Sequence, residues 1–274
     1  MDEFHSIFSY GFFQNALLAC VLTSISCGIV GTYIVSRRIV FVSGGIAHAS
    51  FGGIGIGYFI GINPVFGALF FSVLSALGVE YFTKKAAMRN DSVIAMLWSL
   101  GMAIGIIFIY LTPGYAPNLT TFLFGSIMTI GTTDLYALFV FSAFLILFFI
   151  VFYRPILFIS FDEQFSLTRK APVAFINYFM ISLVALTVVL NIKIAGIILV
   201  MALLTVPQNA ANLFTRRFDK IIYCSIIFGF IGSFSGLIIS YFMNIPSGAT
   251  IIFSLVTLYI LLFSVKSIYI RITR

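Results

Sequence analysis

The sequence predicts an all-α, polytopic membrane protein with about nine transmembrane helices, and three observations predict it. Hydrophobic residues make up 61% of the chain and charged residues only 8%, whereas a soluble domain needs about a quarter of its residues charged. Apolar stretches of the roughly 20 residues that cross a bilayer recur along the chain. Lys and Arg cluster between these stretches. We therefore expect residues 1–274 to form a single transmembrane domain.

The predicted spans are separated by Pro and Gly residues, which end helices or turn the chain. Asn63-Pro64 divides the second span from the third, and Pro246-Ser247-Gly248 precedes the last. Segment 119–131 is apolar but too short to cross, so we expect a half-membrane helix or an ordinary loop helix at the outer side. The nine predicted spans are 12–35, 42–62, 64–83, 92–112, 134–153, 173–190, 192–214, 221–243 and 249–266.

The positive charges predict the orientation of the chain. With the N-terminus outside, every Lys and Arg except Lys193 falls on the cytoplasmic side, as the positive-inside rule requires. The C-terminus is then cytoplasmic. Basic residues scattered in this way do not form the single solvated face that nucleic acid needs. No carboxylate lies in the middle of a span, which argues against a secondary transporter, and no catalytic constellation indicates an enzyme.

The second span carries small residues at every fourth position, Gly45, Ala49, Gly53 and Gly57. Residues with this spacing share a side of a helix, so they predict either close helix packing or a pore-lining surface. His48 lies beside them, about 10 Å from the inner boundary at 1.5 Å per residue. An ionisable residue at that depth is a candidate functional group. Its imidazole is either a metal ligand or a hydrogen-bonded packing residue.

Other polar or soft side chains are candidates for the same transport path. Asp91 stands at the inner start of the fourth span, where it is either a helix cap or a metal ligand. Met96 follows within the span and is either a soft donor or a packing residue. Pro207 interrupts the seventh span and is followed by Gln208 and Asn209. Because proline frees a backbone carbonyl, this segment is either a locally satisfied kink or part of the pore lining.

The longest inner loop, about residues 154–172, alternates apolar and charged residues around Phe161, Asp162 and Glu163. This pattern suits a short amphipathic helix at the inner face. The loop is either a membrane-surface segment or a docking helix for a cytosolic partner.

Together these motifs resemble the zinc, manganese and iron permeases of the ABC-3 family. The run from Gly31 to Phe41, followed by Ala47-His48-Ala49-Ser50, is similar to their second-helix signature. Further similar motifs follow in the family's order, namely Asp91–Ala95, Gly101–Gly105, Leu123–Gly125, Phe161-Asp162, Ala195–Leu204 with Pro207, and Pro246–Gly248. One position departs from the family pattern, because Gly44 stands where an acidic residue is usual.

The resemblance implies a permease of the vitamin-B12-importer type (type II) in the bacterial cytoplasmic membrane. It implies a homodimer at whose interface the ion crosses the membrane, a cytosolic ABC ATPase subunit that pushes on the 161–170 loop, and an extracytoplasmic metal-binding protein. No cofactor is expected to stay bound, and the cargo is a divalent metal, zinc first and manganese or iron next. ATP hydrolysis is expected in the partner, since this sequence contains no P-loop. A permease for a chelated metal or vitamin, and a secondary transporter, are the alternatives.

Overall fold

The computed structural model describes residues 9–86, 88–113, 125, 127–170 and 172–272. Every regular element in these ranges is helical. A 3-10 turn occupies Ile127–Thr129. The helices are α1 (Gly11–Ser36), α2 (Val40–Ile60), α3 (Pro64–Lys84), α4 (Asn90–Leu111), α5 (Thr132–Val151), α6 (Tyr153–Phe161), α7 (Glu163–Thr168), α8 (Val173–Leu203), α9 (Val206–Phe214), α10 (Phe218–Met243) and α11 (Ser247–Ile272).

Eight helical segments of the described chain are long and apolar enough to cross a membrane, which confirms the prediction of about nine helices. One of them, Val173–Phe214, has 42 residues and covers both the sixth and the seventh predicted span. At 1.5 Å per residue it would extend about 63 Å, roughly twice the hydrocarbon thickness. Its backbone breaks at Gly196, with φ 77° and ψ 163°, and not between residues 190 and 192 as predicted. Only glycine adopts this conformation without strain.

A second interruption of the 42-residue segment lies where the sequence placed Pro207. Helix α8 ends at Leu203, and α9 begins at Val206 with Pro207 in its first turn. The Gln208 side chain satisfies the freed backbone, because its Nε2 donates to the Leu203 carbonyl at 3.1 Å and to the Cys27 carbonyl at 2.8 Å. The predicted interruption is therefore confirmed.

Of the predicted half-membrane segment 119–131, residues 119–124 and 126 lie outside the described residues. Gly125 has a positive φ of 58°. Its Cα lies so near the Ala195 and Gly196 backbone that a Cβ would collide with it. A side chain is therefore excluded at Gly125 by the neighbouring backbone and is strained at Gly196 by its positive φ.

The contacts divide the chain into two compact units. Unit 1 consists of Met1–Val35, Phe124–Val151 and Ile194–Arg274, and unit 2 of Ser36–Leu123 and Phe152–Lys193. In unit 1, α10 packs on α11, and a Cβ at Gly236 would lie too close to Ile251. Unit 2 contains α2, which carries His48. The single domain 1–274 stays a prediction.

Candidate functional site

The small residues of α2 pack against α4 at one end of their row. A Cβ added to Gly45 would lie 2.5 Å from Ile94 Cγ2, and one added to Gly101 would lie 2.5 Å from the Ala49 Cα. Gly55 and Gly105 meet in the same way, backbone against backbone. Because small residues let helix backbones approach, α2 and α4 are in close contact along this edge.

The other end of the row packs against α3. A Cβ at Gly53 would collide with the Gly67 carbonyl oxygen, and one at Gly57 would lie 2.9 Å from the Pro64 Cα. The row changes partner because four residues turn a helix by about 40° more than one full turn. Over three such steps the row winds from the α4 side to the α3 side. These four residues therefore serve helix contacts within unit 2, and a part in conduction stays a prediction.

His48 lies on the side of α2 that faces α4. Its ring stacks on Trp98, with ring centroids 4.2 Å apart and planes 7° from parallel. Its Nδ1 atom is buried and has no hydrogen-bond partner among the described residues. A buried polar atom without a partner costs free energy. The imidazole is therefore held by stacking, and its Nδ1 makes no hydrogen bond within that part of the chain.

The angular positions of the candidate residues around the α4 axis decide which of them lie on the side of His48. At about 100° per residue, Asp91 and Met102 lie on the same edge as Trp98. Trp98 Nε1 donates to the Met102 sulfur at 3.2 Å, whereas Met96 points outward and is 51% exposed. Asp91 lies in the exposed first turn. The structure thus brings Trp98 to His48, with Met102 one turn away from Trp98, and turns Met96 away.

Trp98 was missed by reasoning from the sequence. It is the one tryptophan of the chain, seven residues after Asp91 and four before Met102. That spacing places Asp91, Trp98 and Met102 on one edge of a helix, and it could have indicated Trp98 as a neighbour of the candidate residues. The stacking of Trp98 on His48 could not be read from spacing, because it joins two helices.

Gln208 and Asn209 belong to unit 1. Gln208 is completely buried, and its amide nitrogen is used on two backbone carbonyls, as described above. Asn209 is exposed and its Nδ2 donates to the Thr205 carbonyl at 2.9 Å. The contacts of the Gln208 amide nitrogen favour the locally satisfied kink, whereas its buried Oε1 has no hydrogen-bond partner among the described residues, so the pore-lining alternative stays a prediction.

The predicted coupling residues have three different environments. Phe161 is 64% exposed at the end of α6. Asp162 caps α7, because its Oδ1 accepts a hydrogen bond from the Phe165 backbone N–H at 2.8 Å. The Glu163 side chain turns toward the ends of α3 and α8, where partners of its carboxylate lie. The loop predicted as one amphipathic helix is thus two short helices, α6 and α7.

Glu163 belongs to an ionic cluster that we define as Arg37, Glu80, Lys84 and Glu163. Lys84 Nζ lies 2.7 Å from Glu163 and 2.8 Å from Glu80, and Arg37 Nη2 lies 3.1 Å from Glu163. Burial alone would raise the pKa of Glu163. The hydrogen bond and charge of Lys84, then those of Arg37, outweigh burial and lower that pKa below its usual value. The carboxylate therefore stays ionised at neutral pH.

Among the described residues no group of three or more His, Cys, Asp and Glu side chains could hold a metal ion. A closed structural site of the zinc kind uses four such ligands.

Comparison with known proteins places these features in a family. Residues 9–266 match the model of the ABC 3 transport family. An uncharacterized membrane protein of Synechocystis is 40% identical over 243 residues, 89% of this chain and 86% of the relative. The manganese transport system membrane protein MntC of Halalkalibacterium halodurans is 33% identical over 260 residues, 95% and 89% of the two chains.

A solved structure also matches along the whole length. A chain in the structure of PsaBC from Streptococcus pneumoniae in complex with Fab superimposes with a TM-score of 0.87 at 28% identity, covering 100% of this chain and 99% of that one. The predicted all-α, polytopic ABC-permease fold is confirmed.

Proposed function

Because the chain belongs to the ABC 3 transport family, we propose that it is the membrane-spanning permease subunit of an ATP-driven importer for divalent metal ions. The observation that carries this proposal is the similarity to a manganese transport system membrane protein over 95% of the chain. The same family membership weighs against a secondary transporter. Hydrolysis of ATP is assigned to a separate cytosolic subunit, and an extracytoplasmic binding protein delivers the ion.

We propose Mn²⁺ as the first cargo to test, ahead of the zinc that the sequence alone put first. Relatives in Halalkalibacterium and Listeria bear names of manganese transport proteins. Mn²⁺ prefers carboxylate, carbonyl and water oxygens, whereas imidazole suits Zn²⁺ and later metals. Since Gly44 removes the usual carboxylate beside His48, backbone carbonyls and water would complete the coordination of either ion during passage.

The path is proposed to pass His48, with Asp91 at its cytoplasmic end. The free Nδ1 of His48 is the supporting observation. Transient binding at one imidazole allows release, which conduction requires. Met96 and Asn209 receive lower rank, because Met96 is exposed away from His48 and Asn209 binds the Thr205 carbonyl locally. Gln208 ranks after His48, because its amide nitrogen is used on two backbone carbonyls while its buried Oε1 has no hydrogen-bond partner among the described residues.

A homodimer is proposed to form on the outward face of α4. This face lies opposite the face that packs on α2, and small or polar residues follow one another along it at the spacing of a helix stripe. Such a stripe lets a second helix approach closely in a membrane, and a two-fold axis would bring each residue close to its own copy. The small or polar residues of this face are Ser92, Ala95, Ser99 and Ala103, all exposed, and the exposed Met96 lies among them.

A Ser99→Cys variant tests the homodimer. In oxidised native membranes we expect a disulfide-linked dimer on non-reducing gels, since the two copies of the residue would lie near the axis. Cys224 is replaced by Ser in the background, because it is the native cysteine that is not buried. Leu74→Cys, exposed on α3, is the matched control and should stay monomeric. Equal cross-linking of both variants, or of neither, would contradict the proposed interface.

The transport function is tested by reconstituting the chain with its ATPase and binding protein in liposomes. We expect uptake of radioactive Mn²⁺ that requires ATP and resists uncouplers. Uptake driven by a proton gradient without ATP would refute the proposal. Parallel assays with Zn²⁺, and with a ferric siderophore, decide between the free ion and the chelated metal that is the alternative cargo.

A further inference from the structure

Both carboxylate oxygens of Glu163 are occupied within unit 2. Oε1 accepts hydrogen bonds from Lys84 Nζ at 2.7 Å and from Asn177 Nδ2 at 3.1 Å. Oε2 accepts from Nη1 and Nη2 of Arg37, each at 3.1 Å. Hydrogen bonds between charged groups are stronger than neutral ones. The carboxylate is therefore committed to partners in its own chain.

These partners lie at the ends of several helices. Glu163 is the first residue of α7, Lys84 is the last of α3, and Asn177 lies near the start of α8. Arg37 precedes α2 by three residues, and its Nη1 also donates to the Ile159 carbonyl of α6 at 2.8 Å. One carboxylate thus joins α7 to the ends of α3 and α8 and to the connection that leads into α2.

The ionic cluster is partly buried and its charges balance. The side chains of Arg37 and Glu163 are 18% and 33% exposed, so their attraction is screened less than that of a surface pair. Two cations face two carboxylates, since Lys84 also pairs with Glu80. Removing one carboxylate would leave a cation without its partner, which is costlier than losing an exposed pair.

We infer that Glu163 is a positioning residue that transmits displacement of α7 to α2, rather than a residue that contacts the ATPase. The connection runs through Arg37 into α2, which carries His48, and through Lys84 into α3. Helix α3 in turn packs on α2 where Gly53 meets Gly67. This inference rests on the proposed function. It leaves the exposed Phe161 on α6, beside α7, as the docking residue.

The first test measures coupling in the reconstituted transporter. We expect Glu163→Gln, which keeps the shape but removes the charge, to lower the Mn²⁺ imported per ATP hydrolysed by at least about fivefold, the lower end of typical coupling between sites. Asp219→Asn is the matched control, since Asp219 also forms an ion pair, with Arg217 at 2.8 Å, but at an exposed site in unit 1. It should leave the ratio unchanged. A Glu163→Gln ratio equal to that of the unsubstituted transporter would overturn the inference.

The second test needs neither ATPase nor metal, and so covers the case in which the variant does not assemble with its partners. Spin labels are attached at Phe41→Cys on α2 and Leu167→Cys on α7, both exposed positions, in a Cys224→Ser background. We expect a narrow distribution of label distances that broadens or shifts with Glu163→Gln. An unchanged distribution would mean that Glu163 does not fix α7 relative to α2, and the inference would fail.

The two failures are distinguishable. If the unsubstituted transporter imports no metal, the proposed function is wrong, whatever Glu163 does. If it imports Mn²⁺ while Glu163→Gln leaves either the coupling ratio or the label distances unchanged, the function stands and only the positioning role is refuted.

Discussion

Replacement of His48 by Ala is expected to reduce ATP-dependent Mn²⁺ import by on the order of tenfold or more, the scale seen when groups supporting a metal site are removed. The physical reason is the buried Nδ1 of His48, which has no hydrogen-bond partner among the described residues and which we propose as the transient ligand of the ion. The measurement is the initial rate of uptake into liposomes at several Mn²⁺ concentrations, with the amount of reconstituted protein held equal.

His48→Phe separates the ligand role from the packing role. Phenylalanine keeps an aromatic ring that can stack on Trp98, at present 4.2 Å away between centroids, but it has no nitrogen. If the imidazole binds the ion, His48→Phe should transport as poorly as His48→Ala. If His48→Phe imports Mn²⁺ at the full rate, His48 is a packing residue and its assignment to the path is wrong.

Replacement of Gly67 by Ala is expected to destabilise the protein by about 1–3 kcal/mol, the usual cost of overpacking a well-packed core. The added methyl would collide with the Gly53 carbonyl oxygen. This neighbour is backbone and cannot rotate away, so α2 and α3 would have to separate. The measurement is the midpoint of thermal unfolding in detergent, followed by the fluorescence of Trp98, the one tryptophan in the sequence.

Gly78→Ala is the matched control on the same helix. A Cβ at Gly78 would lie 3.5 Å from Leu97 Cδ1, an ordinary van der Waals contact. Alanine is favoured over glycine inside a helix by roughly 0.5–1 kcal/mol, so this variant should be as stable as the original or slightly more so. A Gly67→Ala protein with the same midpoint as Gly78→Ala would contradict the close α2–α3 contact.

Most helix bounds could be predicted from the sequence within three residues, but the last helix continues to Ile272, beyond its predicted end at residue 266. The second span was predicted at 42–62 and lies at Val40–Ile60, and the last was predicted from 249 and begins at Ser247. Length and hydropathy suffice for this because the bilayer sets one thickness for all spans. The break in the long helical segment was predicted between residues 190 and 192 but lies at Gly196. Hydropathy could not show this, because it does not reveal a single residue with positive φ.

The candidate site was predicted in part. His48 was singled out because an ionisable residue within an apolar span is rare, and its role in the path stays a prediction. The partners of Glu163 could not be predicted, because Arg37 lies 126 residues earlier in the chain. The row of small residues on α2 was treated as one face, although a spacing of four winds around the helix.

The sequence by itself therefore determined that the chain lies in lipid, where most of its spans are and to which family it belongs. Composition indicates the lipid environment, hydropathy the spans and short motifs the family, and each of these is a local property of the chain. Tertiary structure alone decided that Gly53 meets Gly67, that Trp98 stacks on His48 and that Glu163 turns inward. Each of these contacts depends on how one helix is rotated about its axis relative to another. That rotation is set by the packing of both surfaces together.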